Sequence, residues 1–108
     1  MTETEFLDAA ESVLDSIEDK LDQLNDQDIV DVECRRSGNV LEIEFLANAS
    51  KIIVNSQAPM REMWVAARSG GFHYRMVDGA WSDTRSGREL FAVLSELVTE
   101  QGGAPVSL

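Results

Sequence analysis

Apolar residues recur at Phe6, Ala10, Val13, Ile17, Leu21 and Leu24, spaced four, three, four, four and three. That spacing keeps one face of an α-helix apolar, and Leu7 and Leu14 widen the stripe. Thr2 with Glu5 three residues on forms a capping box, so the pattern predicts a helix from about residue 3 to about residue 24. The period then drops to two. Val30, Val32 and Cys34 alternate with Asp31 and Glu33, and Leu41, Ile43 and Phe45 alternate with Glu42 and Glu44. Both runs read as strands with one face buried and the other polar. Lys51–Asn55, Met63–Ala67, Phe72–Val77 and Ala80–Ser82 read as four more strands. Turn signals separate them: Ser37-Gly38-Asn39, Asn48-Ala49-Ser50, Pro59, Gly70-Gly71 and the hairpin pair Asp78-Gly79. Ser86 with Glu89 reads as a second capping box. It precedes a closing helix with an apolar face of Leu90, Leu94 and Leu97, joined by Phe91 and Val98, which Gly102-Gly103 ends.

The predicted order is one helix, six short strands, one helix. Short connections favour antiparallel pairing. The expected fold class is therefore α+β: a two-layer α/β sandwich, two helices packed on one face of a six-stranded antiparallel sheet. A length of 108 residues fits one domain over 1–108, with no repeats, linkers or low-complexity tracts. Hydrophobic residues make up 44%, too many for a disordered acidic tail. Cys34 is the only cysteine, which excludes an internal disulfide. No basic-apolar leader and no run approaching the roughly 18 apolar residues of a membrane span is present. A cytoplasmic bacterial protein is expected.

Charge changes the picture. Residues 1–33 hold twelve acidic side chains and one basic one, Lys20, so they carry the whole net charge of −11. Asp8, Glu11, Asp15, Glu18 and Asp22 repeat at three, four, three and four, nearly opposite the apolar stripe, with Asp19 and Asp26 flanking them. Asp28, Asp31 and Glu33 carry the acid onto the first strand. The pairs Glu11–Asp15, Asp15–Asp19, Glu18–Asp22 and Asp22–Asp26 are like charges four apart, each unfavourable by roughly 0.2–0.5 kcal/mol. Asp19 and Asp22 also lie near the negative end of the helix dipole. An ordinary solvated helix face mixes Glu with Lys. Two readings stand side by side: a plainly solvated acidic face, and a face built to attract cations, either metal ions or a basic partner.

Carboxylates without histidine or cysteine make hard, oxygen-only sites that discriminate weakly among Mg, Ca, Mn and iron. Asp22, Asp26, Asp28 and Glu33 match positions 1, 5, 7 and 12 of an EF-hand frame. Leu24 at position 3 and Gln27 in place of the turn glycine exclude that loop. No nucleophile elbow, phosphate-binding glycine loop, zinc pattern or haem motif occurs, and paired carboxylates on a convex helix do not make a glycosidase cleft. No enzyme activity is expected. The acidic balance excludes a nucleic-acid footprint. His73, a lone strand histidine far in sequence from the ridge, reads as structural rather than as a ligand.

Asn55-Ser56-Gln57-Ala58-Pro59 followed by Trp64 resembles the signature of the frataxin family, Asn-x-Gln-x-Pro then Trp. Gly70-Gly71-Phe72-His73-Tyr74, Trp81 and Ser86-Gly87 follow in the family's order, and the likeness covers almost the whole chain, closest to the bacterial members. The resemblance implies an α-β-sheet-α sandwich that binds iron weakly. It further implies a regulator or iron carrier that binds the cysteine desulfurase and the scaffold protein of iron–sulfur cluster assembly. By position it assigns iron to Glu18, Asp19, Asp22, Asp31 and Glu33, and the continuous ridge adds Asp26 and Asp28 as candidates. Gln23 stands where the family often has an acid.

Trp64 alternates with Met63 and Val65, so one set faces the helices and the other solvent. A strand tryptophan is more often core. The resemblance reverses that and places Trp64, with Asn55 and Gln57, on the open sheet face as a partner contact. The reading is an iron-binding, monomeric modulator of iron–sulfur assembly. The alternative is an acidic module that docks a basic protein with no metal role.

Overall fold

The computed structural model describes residues 1–108. Its elements are α1 (Glu3–Asp26), β1 (Val32–Ser37), β2 (Val40–Phe45), β3 (Ser50–Gln57), a 3-10 turn (Ala58–Met60), β4 (Glu62–Ala67), β5 (Gly70–Val77), β6 (Ala80–Asp83) and α2 (Leu90–Gly102). The six strands pair antiparallel in sequence order, leaving β1 and β6 at the edges. Both helices pack on the same face, as the alternation requires.

Strand alternation decides which side chains meet the helices. Leu41, Ile43, Phe45, Ile52, Val54, Met63, Val65, Tyr74 and Trp81 are buried beneath Phe6, Val13, Leu14, Ile17 and Leu21 of α1 and Leu90, Val93, Leu94, Leu97 and Val98 of α2. Burying each large apolar side chain is worth roughly 1.5–3 kcal/mol, which is what holds a charged helix to the sheet. Phe6 meets Trp81 edge to face at 6.0 Å between centroids. The buried Gln101 amide ties the end of α2 to the sheet. It donates to Ser50 Oγ and the Lys51 carbonyl and accepts from the Arg68 N–H. No helix is long and apolar enough to cross a membrane.

Local signals are met at the start of α1 and in most turns. The Thr2 hydroxyl accepts from the Glu5 N–H and the Glu5 carboxylate accepts from the Thr2 N–H. Asp78 and Gly79 both take positive φ, 50° and 82°, the geometry of a tight hairpin turn. Two expectations are corrected. The chain turns at Arg68-Ser69, and Gly70-Gly71 open β5 instead of forming the turn. Likewise, Ser86 does not cap α2. Asp83 Oδ1 accepts from the Arg85 and Ser86 N–H groups and folds that segment into its own turn. A bridge from Ser82 keeps Glu89 extended, and Glu89 is the N-cap, its carboxylate accepting from the Phe91 and Ala92 N–H groups.

Candidate functional site

The ridge candidates lie where the period places them. Glu18, Asp19, Asp22 and Asp26 stand on the outer face of α1, Asp28 and Asp31 in the connection to β1, and Glu33 on β1. All are exposed except Glu18, which is partly covered. Asp28 takes a left-handed conformation, φ 57°, which an aspartate tolerates better than most residues. The cation on α1, Lys20, does not serve the ridge. Its ammonium lies 4.4 Å from the centre of the Phe91 ring on α2.

Repulsion along the ridge is relieved at one place. Arg36, on the helix side of β1, reaches up to α1, with Nη1 2.8 Å from Asp15 Oδ1 and 4.0 Å from Glu18 Oε1. Asp19, Asp22, Asp26, Asp28 and Asp31 make no ion pair, and the last turn of α1 carries no basic residue. Glu33 points instead to the open face of the sheet, where Arg35 bridges it at 3.2 Å to Glu44 at 3.2 Å and Glu42 at 3.6 Å. The seven candidates are thus a line, not a cage. Nowhere do three His, Cys, Asp or Glu side chains come together in a group able to hold a metal ion. Cys34 lies beneath the ridge; burial first, then the charges of Asp22 and Glu18, push its thiol up to about 12. It stays protonated at neutral pH and is a poor nucleophile or ligand. The cavities beside Phe72, Leu7, Val77 and Met60 are lined by none of the seven acids.

The open face holds a different arrangement. In the register of β3, β4 and β5, Trp64 lies between Asn55 and His73, and Glu62 lies between Gln57 and Arg75. Met63 and Val65 are buried under the helices, so Trp64 is on the face away from the core. Its indole stacks on the His73 ring with centroids 4.3 Å apart and 5° between planes. Trp64 Nε1 donates to Glu62 Oε1 at 2.9 Å, and Arg75 Nε donates to Glu62 Oε2 at 2.7 Å. His73 Nδ1 is 3.6 Å from Glu62 Oε1, beyond hydrogen-bonding distance. Burial alone would raise the Glu62 pKa. The Trp64 and Arg75 hydrogen bonds, with the charges of Arg75 and His73, outweigh it and hold the carboxyl below its ordinary value. Glu62 and Arg75 are the residues that sequence reasoning missed; His73, read there as structural, lies beside them. The signal was a charge pair, but it is visible only once the strand register is known.

A frataxin-like domain model matches residues 1–104. The chain belongs to the frataxin family. It is 64% identical over 108 residues to the iron–sulfur cluster assembly protein CyaY of Janthinobacterium sp. (strain Marseille), covering 100% of this chain and 96% of that one. It is 59% identical, with the same coverage, to the protein of that name from Herminiimonas arsenicoxydans. Among solved structures, a frataxin from Psychromonas ingrahamii superposes with a TM-score of 0.88 at 33% identity, covering 99% of this chain and 97% of that one. Trimeric frataxin from Saccharomyces cerevisiae, complexed with ferrous iron, superposes with a TM-score of 0.74 at 27% identity, covering 87% of this chain and 85% of that one.

Proposed function

We propose that this chain is an iron–sulfur cluster assembly protein that carries iron weakly on its ridge and modulates a cysteine desulfurase and its scaffold protein. It acts as a cytoplasmic monomer without catalysis of its own. Glu18, Asp19, Asp22, Asp26, Asp28, Asp31 and Glu33 supply oxygen ligands, and Asn55, Gln57 and Trp64 touch the partner. The observation that carries this reading is the pairing of two surfaces on one small fold: a line of exposed, mostly unpaired carboxylates and an ordered aromatic patch. Its relatives' names supply the pathway.

Oxygen-only donors suit hard cations, and an open line of them gives weak affinity and poor selectivity. Iron is cargo here, held by whichever two or three acids can swing together. Fe²⁺ titrated into the labelled protein should broaden NMR signals of residues 15–33, with Mn²⁺ and Ca²⁺ competing. Broadening confined to His73 and Cys34 would overturn the ridge as the metal site.

The second reading, a ridge that docks a basic protein with no metal role, is favoured by the lack of any three-ligand cluster. The same titration with and without the desulfurase separates the two. Cargo iron alters reconstituted cluster assembly in step with iron concentration. A purely electrostatic ridge alters it independently of iron.

A further inference from the structure

We infer that Glu62 is the positioning residue of the docking face: its buried carboxylate fixes the Trp64 indole and the Arg75 guanidinium, with His73, as one rigid plate. The inference rests on the reading of Trp64 as a partner contact.

Glu62 belongs by alternation to the open face, yet it is only 3% exposed. A carboxylate is buried to that extent only when its oxygens are occupied. Here each oxygen takes one donor, Trp64 Nε1–H on one and Arg75 Nε–H on the other. The acid thus lies among the groups a partner would meet and presents little of its own charge. The backbone turns sharply just before it. Arg61, the residue before Glu62, is left-handed at φ 53°, a conformation disfavoured for a residue with a Cβ, and its guanidinium donates to the Ala58 carbonyl.

Without Glu62 the indole would keep only its stack on His73. An indole free to change rotamer must be ordered on binding, which weakens an interface by up to about tenfold. Arg75, 57% exposed, would lose its one carboxylate partner. Glu62 touches the partner little and acts through the two side chains it holds.

The test uses the full chain and the Nε1–H signal of Trp64, with Trp81 on the helix side as internal reference. Glu62→Met keeps the side-chain length and removes both acceptors. It should speed solvent exchange of the Trp64 indole proton by about tenfold or more and leave Trp81 unmoved. It should also weaken binding to a purified cysteine desulfurase by about five- to tenfold. Glu62→Gln keeps an acceptor oxygen and should recover most of both. In a Trp64→Phe background, Glu62→Met should lower affinity by less than about twofold. Glu62→Asp draws the acceptor away from the indole while keeping the charge, and makes the same cut if Glu62→Met does not fold. An unchanged Trp64 signal, or an equal loss of affinity in both backgrounds, would overturn the assignment. If the wild-type chain does not bind the desulfurase, the docking reading falls, and indole exchange still decides what Glu62 holds.

Discussion

The acidic ridge and the Trp64 patch lie on the same fold, and they are held in opposite ways. Along α1 the carboxylates stand three and four apart, repel one another, and find one cation, Arg36, near the middle of the helix. Around Trp64 every charged group has a partner, and the central acid is buried. The ridge needs no fixed geometry, because charge acts over about a Debye length, some 8 Å at physiological salt. The patch works only on contact, so its geometry has to be set beforehand. On the proposed reading, stability is given up at the ridge for attraction, and at the patch a buried charge is accepted for rigidity.

Removing Trp64 would break this contrast most sharply. Trp64→Ala should weaken desulfurase binding by about 2 kcal/mol or more, while the melting temperature and the iron titration stay near wild type. The salt dependence of binding should survive. Unfolding of Trp64→Ala would make the tryptophan structural and erase the distinction between the two surfaces.

Arg36 sharpens the ridge side. Arg36→Ala should lower stability by about 1 kcal/mol in denaturant melts, since its mostly covered guanidinium is what bridges β1 to Asp15 and Glu18. The same change frees those two acids, so metal affinity should rise. Asp22→Lys acts the other way. It should raise stability by about 0.5 kcal/mol by removing like-charge pairs and complementing the end of the α1 dipole. Metal and desulfurase binding should both weaken. Added salt should stabilise the wild type for the same reason.

The smallest effect concerns acid. The Trp64 and Arg75 hydrogen bonds, outweighing burial, hold the Glu62 carboxyl below its ordinary value. A depressed pKa means that its contribution to stability is fully present above about pH 4.5 and is lost as pH falls through the lower folded value. The side-chain carboxyl carbon NMR signal of Glu62 should therefore hold steady to below pH 4.5 and change only under stronger acid. A change centred above that value would mean the carboxylate is not stabilised as described.

Most of the fold was legible because alternation survives the packing. Leu41, Ile43 and Phe45 had to share a face, and they do. The ridge was legible from charge alone. The patch was only half legible. Two adjacent glycines at 70 and 71 drew the turn away from Arg68-Ser69. A two-residue turn at the glycines would have set Trp64 opposite Val77, whereas the real register sets it opposite His73 and sets Glu62 opposite Arg75. Glycine here marks an extended strand start, Gly70 at φ 150°, and not a reversal. Arg36 could have been suspected, since it shares parity with Val32 and Cys34 on the helix side. An arginine there has to carry its charge out past the core edge.

On the proposed reading, two surfaces of different physics serve one partner. Association kinetics with the cysteine desulfurase test it most directly, measured across ionic strength for wild type, Asp22→Lys and Trp64→Ala. Asp22→Lys should slow association and flatten its salt dependence while leaving dissociation nearly unchanged. Trp64→Ala should speed dissociation and leave the salt dependence of association intact. If both variants instead change the same rate constant with the same salt dependence, the ridge and the patch are one surface and the account is wrong.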